Sequence, residues 1–143
     1  MKVCTFFGHR VVAEDIENLL KIVVVDLIEN QGVEVFYFGN QGSFDRLVKK
    51  ILSNLKQTYP NIKFYNVLAY LPTKRDGESK ELFTNTIIPD GLENVPPKYA
   101  ISYRNKWMIK KSDFVVTYVR HTWGGAAQFK EIAEKSKKQV INI

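Results

Sequence analysis

Apolar residues along this chain fall alternately into short, mostly apolar runs and into stripes spaced like one face of a helix. The runs lie at 2–7, 35–38, 62–69, 114–119 and 139–143. Each reads as a strand buried on both faces. Between the first two runs, Ile16, Leu19, Leu20, Val23, Leu27 and Ile28 recur at close to 3.6 residues and predict a helix over 14–31. Glu14 and Asp15 suit its start, Gly32 suits its stop, and the apolar cluster at 22–25 reads as part of its core-facing side. Leu47, Val48, Ile51, Leu52 and Leu55 predict a second helix over 45–58, which Pro60 ends. Residues 99–111 and 125–136 read as two more helices.

Strands alternating with helices at this spacing imply an α/β fold, a Rossmann-like three-layer sandwich with a central, mostly parallel sheet of about five strands. The rhythm breaks once. Residues 71–98 hold Pro72, Gly77, Pro89, Gly91, Pro96 and Pro97 with only short apolar groups between them. A connection of that length in a compact domain carries function or short structure of its own. It reads as a flap or insertion over the strand ends, with a short helix near 78–84. At 143 residues the chain is expected to form one domain.

Composition narrows the setting. The 45% hydrophobic and 25% charged residues are ordinary for a globular protein. No apolar run reaches the ~20 residues that a membrane helix needs. The chain enters its first strand directly, with no signal-peptide pattern, and has one cysteine, Cys4. Both features point to a cytoplasmic protein without a disulfide. The net charge of +6 suits phosphorylated ligands or nucleic acid, although lysines such as Lys49, Lys56 and Lys135 also fit solvated helix faces. Two histidines and one cysteine at these spacings make no metal site, and no cofactor is called for.

The candidate chemistry lies in three turns of small residues, each following a strand. They are Gly8-His9-Arg10, Gly39-Asn40-Gln41-Gly42-Ser43 and Trp123-Gly124-Gly125-Ala126-Ala127. In a parallel sheet all three fall at the carboxyl ends of the strands, where ligands bind. Glycine lets a ligand approach the backbone, and the helix behind each such turn offers unpaired N–H groups to an anion. None is a Gly-x-Gly-x-x-Gly or Gly-Lys-Ser/Thr fingerprint. Together, with Arg10 and Arg104 in reach, they predict phosphate-binding loops. His9 is a candidate acid, base or donor. Asp45 is placed to accept from a ribose hydroxyl or to complement a helix dipole, and Ser43 to cap that helix or donate to phosphate. Trp123 is a candidate for stacking on a base. No nucleophile–base pair or carboxylate pair can be made out from spacing.

The start FFGHR, the turn FGNQGSFD, and the segments PDGLENVPPKYAISYRNKWMIKKSD and VVTYVRHTWGGAAQFKEIAEKSKKQVINI resemble a small bacterial and phage branch of the SLOG superfamily. This group contains Rossmann-like proteins related to the Lonely Guy (LOG) phosphoribohydrolases and the DNA-processing protein A family. The resemblance covers nearly the whole chain. It implies a nucleotide or nucleotide-derived ligand at the strand ends, held in a sensor-like role. The LOG arginine, set in Arg-Lys-x-x-Met, is matched by Arg104 with Asn105 in place of lysine. The LOG signature Pro-Gly-Gly-x-Gly-Thr followed by glutamate is met only in part: Trp123 precedes the glycines, Ala127 and Gln128 follow, and Glu131 falls at a different spacing. An acid displaced along a helix turns about 100° per residue.

Three readings follow. The first is a binding protein for a nucleotide-type small molecule, through Gly8, His9, Arg10, Gly39, Asn40, Gly42, Ser43, Asp45, Arg104, Asn105, Trp123, Gly124, Gly125 and Ala126. The second is an N-glycosidic hydrolase of nucleoside monophosphates, with Glu131 or Asp45 as the acid–base group. The third, less favoured, is a single-stranded nucleic-acid binder: Phe36, Tyr37, Phe38, Phe64 and Tyr65 lie within strands and read as core, not as a stacking platform. No membrane partner is expected, and an exposed Trp107 would serve a homo-oligomer.

Overall fold

The computed structural model describes residues 1–71 and 85–143. In chain order the elements are β1 (Lys2–Gly8), α1 (Glu17–Asn30), β2 (Val33–Phe38), α2 (Ser43–Thr58), β3 (Lys63–Val67), β4 (Thr86–Ile87), α3 (Ala100–Lys111), β5 (Phe114–Tyr118), α4 (Gly125–Lys135) and β6 (Gln139–Asn142). One six-stranded sheet runs in the order β4-β3-β2-β1-β5-β6, and every neighbouring pair is parallel. The Rossmann-like sandwich expected from the alternation is the fold.

Period-two alternation sends the strand residues to two different cores. Cys4, Phe6, Phe36, Phe38, Phe114 and Val116 pack with Leu20, Val24 and Leu27 of α1 and with Phe44, Val48 and Leu52 of α2. Phe7, Val67 and Val115 point the other way, against Met108 and Ile109 of α3 and Phe129 and Ala133 of α4. Thr5 also faces that second layer, and its hydroxyl donates to the Tyr37 carbonyl at 2.9 Å. Trp107, expected to be exposed, is half-buried, its ring 5.3 Å from that of Tyr37.

Two boundaries differ from the sequence reading. Helix α1 begins at Glu17 instead of residue 14, because the Glu14 carboxylate is held by Arg120 and by the Tyr118 hydroxyl. Its buried stripe is Leu20, Val24 and Leu27, which leaves Leu19 and Ile22 exposed. Within 71–98 the sheet gains β4, paired through Asn66–Thr86 and Val67–Ile87. Two short 3-10 turns then follow at Leu92–Asn94 and Pro97–Tyr99. The expected helix near 78–84 lies outside the described residues.

From β1 the chain moves through β2 and β3 to β4 on one side, then returns to place β5 and β6 on the other. The order therefore reverses between β1 and β5. The crevice beyond the carboxyl ends of those two strands is where an open parallel sheet accepts a ligand.

Candidate functional site

A cleft of about 280 Å³ occupies that crevice. Its floor is Phe6, Phe7 and Phe129, and its walls come from all three predicted turns: Gly8, His9 and Arg10 after β1, Gly39 after β2, and Gly125 and Ala126 at the start of α4. Asp45 on α2 and Arg104 and Asn105 on α3 complete it. Thus nine of the fourteen predicted binding residues converge. Asn40, Gly42, Ser43, Trp123 and Gly124 do not line it, whereas Gln41 and Ile101 do without having been singled out. Gln41 contributes as part of a turn, and Ile101 is one apolar residue among many; neither carries a sequence signal.

Arg104 is the centre of the site. It is 2% exposed, an unusual burial for a guanidinium. Its Nε donates to Asn105 Oδ1 at 2.7 Å and its Nη1 to the Val67 carbonyl at 2.9 Å, at the end of β3. Nη2 has no hydrogen-bond partner among the described residues. Burial draws its pKa down, and the nearby Asp45 carboxylate opposes that shift. Gly39 makes the arrangement possible: a Cβ there would sit 2.7 Å from Nη1. Asn105 supplies a neutral acceptor and adds no second charge.

The turn after β2 is braced internally. Gly42 has φ +124, a conformation that favours glycine, and a Cβ there would meet the Arg10 backbone at 2.7 Å. The Ser43 amide and hydroxyl both donate to the Arg10 carbonyl, and the Val12 amide donates to the Ser43 hydroxyl. Ser43 is the first residue of α2 and makes no cap bond. It joins the turns after β1 and β2 and does not face the cleft. Asp45 Oδ2 accepts from the Gln41 amide at 2.8 Å. Burial raises the Asp45 pKa above the usual carboxylate value, opposed by that bond and by Arg104 and Arg46.

Helix α4 opens on the cleft with its first turn uncapped by any side chain. Among the described residues the amides of Gly125, Ala126 and Ala127 make no hydrogen bond. These are the donors that bind anions at helix starts. Before them, three rings form a row. His9 lies 4.7 Å from His121, and His121 stacks on Trp123 at 4.5 Å with 9° between planes. Trp123 is 70% exposed, so its outer face is open at the rim. His9 Nε2 accepts the Arg120 amide at 2.8 Å, which requires a ring nitrogen free of its proton. Burial, with His121 and Arg120 nearby, lowers its pKa accordingly.

Glu131 takes no part. It is exposed on α4 and paired with Lys135 at 2.9 Å. Asp45 is the carboxylate at the cleft among the described residues. Cys4 is buried, and burial pushes its thiol pKa up, which leaves it inert. Among the described residues no cluster of His, Cys, Asp and Glu could hold a metal, and no helix is long and apolar enough to cross a membrane. No protein-family model matches this chain, and no curated protein does either.

Proposed function

We propose that the cleft binds a nucleotide or nucleotide-derived ligand, with its phosphate against Arg104 and the opening turn of α4, in the role of a cytoplasmic sensor or carrier. The observation that carries this reading is Arg104, which lines the cleft with an Nη2 that makes no hydrogen bond among the described residues. A buried guanidinium is costly unless its donors and charge are matched. The carbonyl of Val67 and the amide oxygen of Asn105 use two of its five N–H groups. The Asp45 carboxylate offsets only part of the cost of burial, which still draws the guanidinium's pKa down. A phosphate or other anion completes the match and receives the α4 amides from the other side. The resemblance to SLOG proteins points the same way. A cleft of about 280 Å³ is at the small end for ligand pockets and favours a mononucleotide.

The test is thermal unfolding with AMP, ADP, ADP-ribose, dinucleotides, cyclic nucleotides and inorganic phosphate. A true ligand at ~100 times its Kd adds about 2.7 kcal/mol of stability. That gain is lost in Arg104→Ala and largely lost in Arg104→Lys, which keeps the charge but not the fork of donors. No shift with any compound refutes the reading.

A hydrolase reading survives only through Asp45. Burial holds its pKa above the usual carboxylate value, the direction that a general acid needs. Base release from AMP by the native protein, abolished in Asp45→Asn, would establish it; a flat time course at high protein concentration removes it.

A further inference from the structure

The positive charge of this chain is confined to one part of it. Residues 98–143 carry ten Lys or Arg against three Asp or Glu, a net of +7. Residues 1–97 carry eleven against twelve, a net of −1, which together give the overall +6. Several of the ten cations are engaged: Arg104 is buried in the cleft, Arg120 pairs with Glu14, Lys130 with Glu134 and Lys135 with Glu131. Lys106, Lys110 and Lys138 are not. They line a groove of about 320 Å³ with Ile109, Ile132 and Ser136, at the end of the α3–α4 seam opposite the cleft. Among the described residues no carboxylate lines it, and none of the three lysines makes an ion pair.

Ordinary helix chemistry does not account for this set. On α4, charges four apart are complementary, Lys130 with Glu134 and Glu131 with Lys135. On α3 the corresponding pair is Lys106 and Lys110, which repel. Attraction to the negative end of a helix falls off within the last turn. It explains Lys110 and, just past the end of α4, Lys138, but not Lys106, more than a turn before the end of α3.

We propose that this groove contacts the phosphate backbone of a nucleic acid, bound without regard to sequence. Lysines are compact charges whose rotatable donors suit phosphate oxygens. The groove has no exposed aromatic anchor of the kind that dominates protein interfaces, and its isoleucines are too sheltered to enter a membrane. It offers no stacking platform either, so the contact is to the backbone alone. This surface is separate from the cleft and does not depend on what the cleft binds.

The experiment is fluorescence anisotropy with labelled 20-nucleotide single strands and duplexes across a salt series. Binding is expected to fall linearly on logarithmic axes. The variant Lys106→Ala/Lys110→Ala/Lys138→Ala, with melting checked against the native protein, is expected to lower the slope by roughly 2–3, at ~0.7–0.9 per phosphate contact released. Arg10→Ala, a change at the cleft, is expected to leave the slope as it was. No binding at 50 mM salt, an unchanged slope in the triple variant, or a loss confined to Arg10→Ala would each overturn the proposal. So would tighter binding to polyglutamate or to phosphatidylserine vesicles than to the oligonucleotides.

Discussion

Gly39 and Arg104 are 65 positions apart in the chain, yet each requires the other. The guanidinium occupies the space that any side chain at 39 would need. Gly39→Ala is therefore expected to displace the arginine, destabilise the fold by roughly 1–3 kcal/mol as overpacking does, and weaken nucleotide binding together with it. Denaturant unfolding and thermal shifts with ADP measure the two effects; full stability and full binding in the variant would mean that the turn yields freely. The sequence marks Gly39 as a turn residue, but its reason for being glycine is a long-range contact that no local pattern records. His9 behaves similarly. Its folded pKa lies below the unfolded value of about 6.5, so the folded state prefers the neutral ring. The contribution is complete above pH 6.5 and is lost as pH falls from there through the folded pKa, since the unfolded chain takes the proton first. Unfolding midpoints are expected to drop across this window, above the range in which carboxylates titrate, and to drop less in His9→Gln.

At the scale of elements, the stripes of apolar residues were enough to place α1 and α2, but not to fix which residues of α1 face inward. Leu19 and Leu20 are equally apolar and adjacent, while Leu20 is fully buried and Leu19 is 45% exposed. Leu20→Ala is expected to cost 2–5 kcal/mol and Leu19→Ala under about 0.5 kcal/mol. Equal losses in denaturant titrations would contradict the observed rotation of the helix. The start of α1 differs from its sequence pattern for a related reason: Glu14 has the chemistry of a helix start but pairs with Arg120, a partner that only the fold supplies. β4 has no sequence signal because two residues cannot display an alternation. On α4, Glu131 is a candidate only through the resemblance to the LOG signature, and helical geometry turns it to solvent beside Lys135. Glu131→Gln is expected to leave ligand binding and any base release unchanged.

For the molecule as a whole, the crevice was legible because parallel topology is a strong constraint: every strand–turn–helix junction delivers its turn to the same edge of the sheet. That rule gathers residues 8–10, 39–45 and 125–126 without any knowledge of their contacts. It does not say which members face the ligand and which brace one another, so Ser43 and Gly42 serve the junction between two turns while Gly39 and Asp45 face the cleft. A ligand that spans the crevice should therefore act on both sides of the strand-order reversal together. With saturating ADP, or whichever compound of the panel gives the largest thermal shift, hydrogen exchange is expected to slow at the amides of Gly39 and Gln41 and of 125–127 in parallel. Protection confined to one of the two segments would mean an occupant held by a single turn. Protection of both, lost in Arg104→Lys, would show that the buried guanidinium organises the site from its floor, because that residue touches neither segment's amides by hydrogen bond.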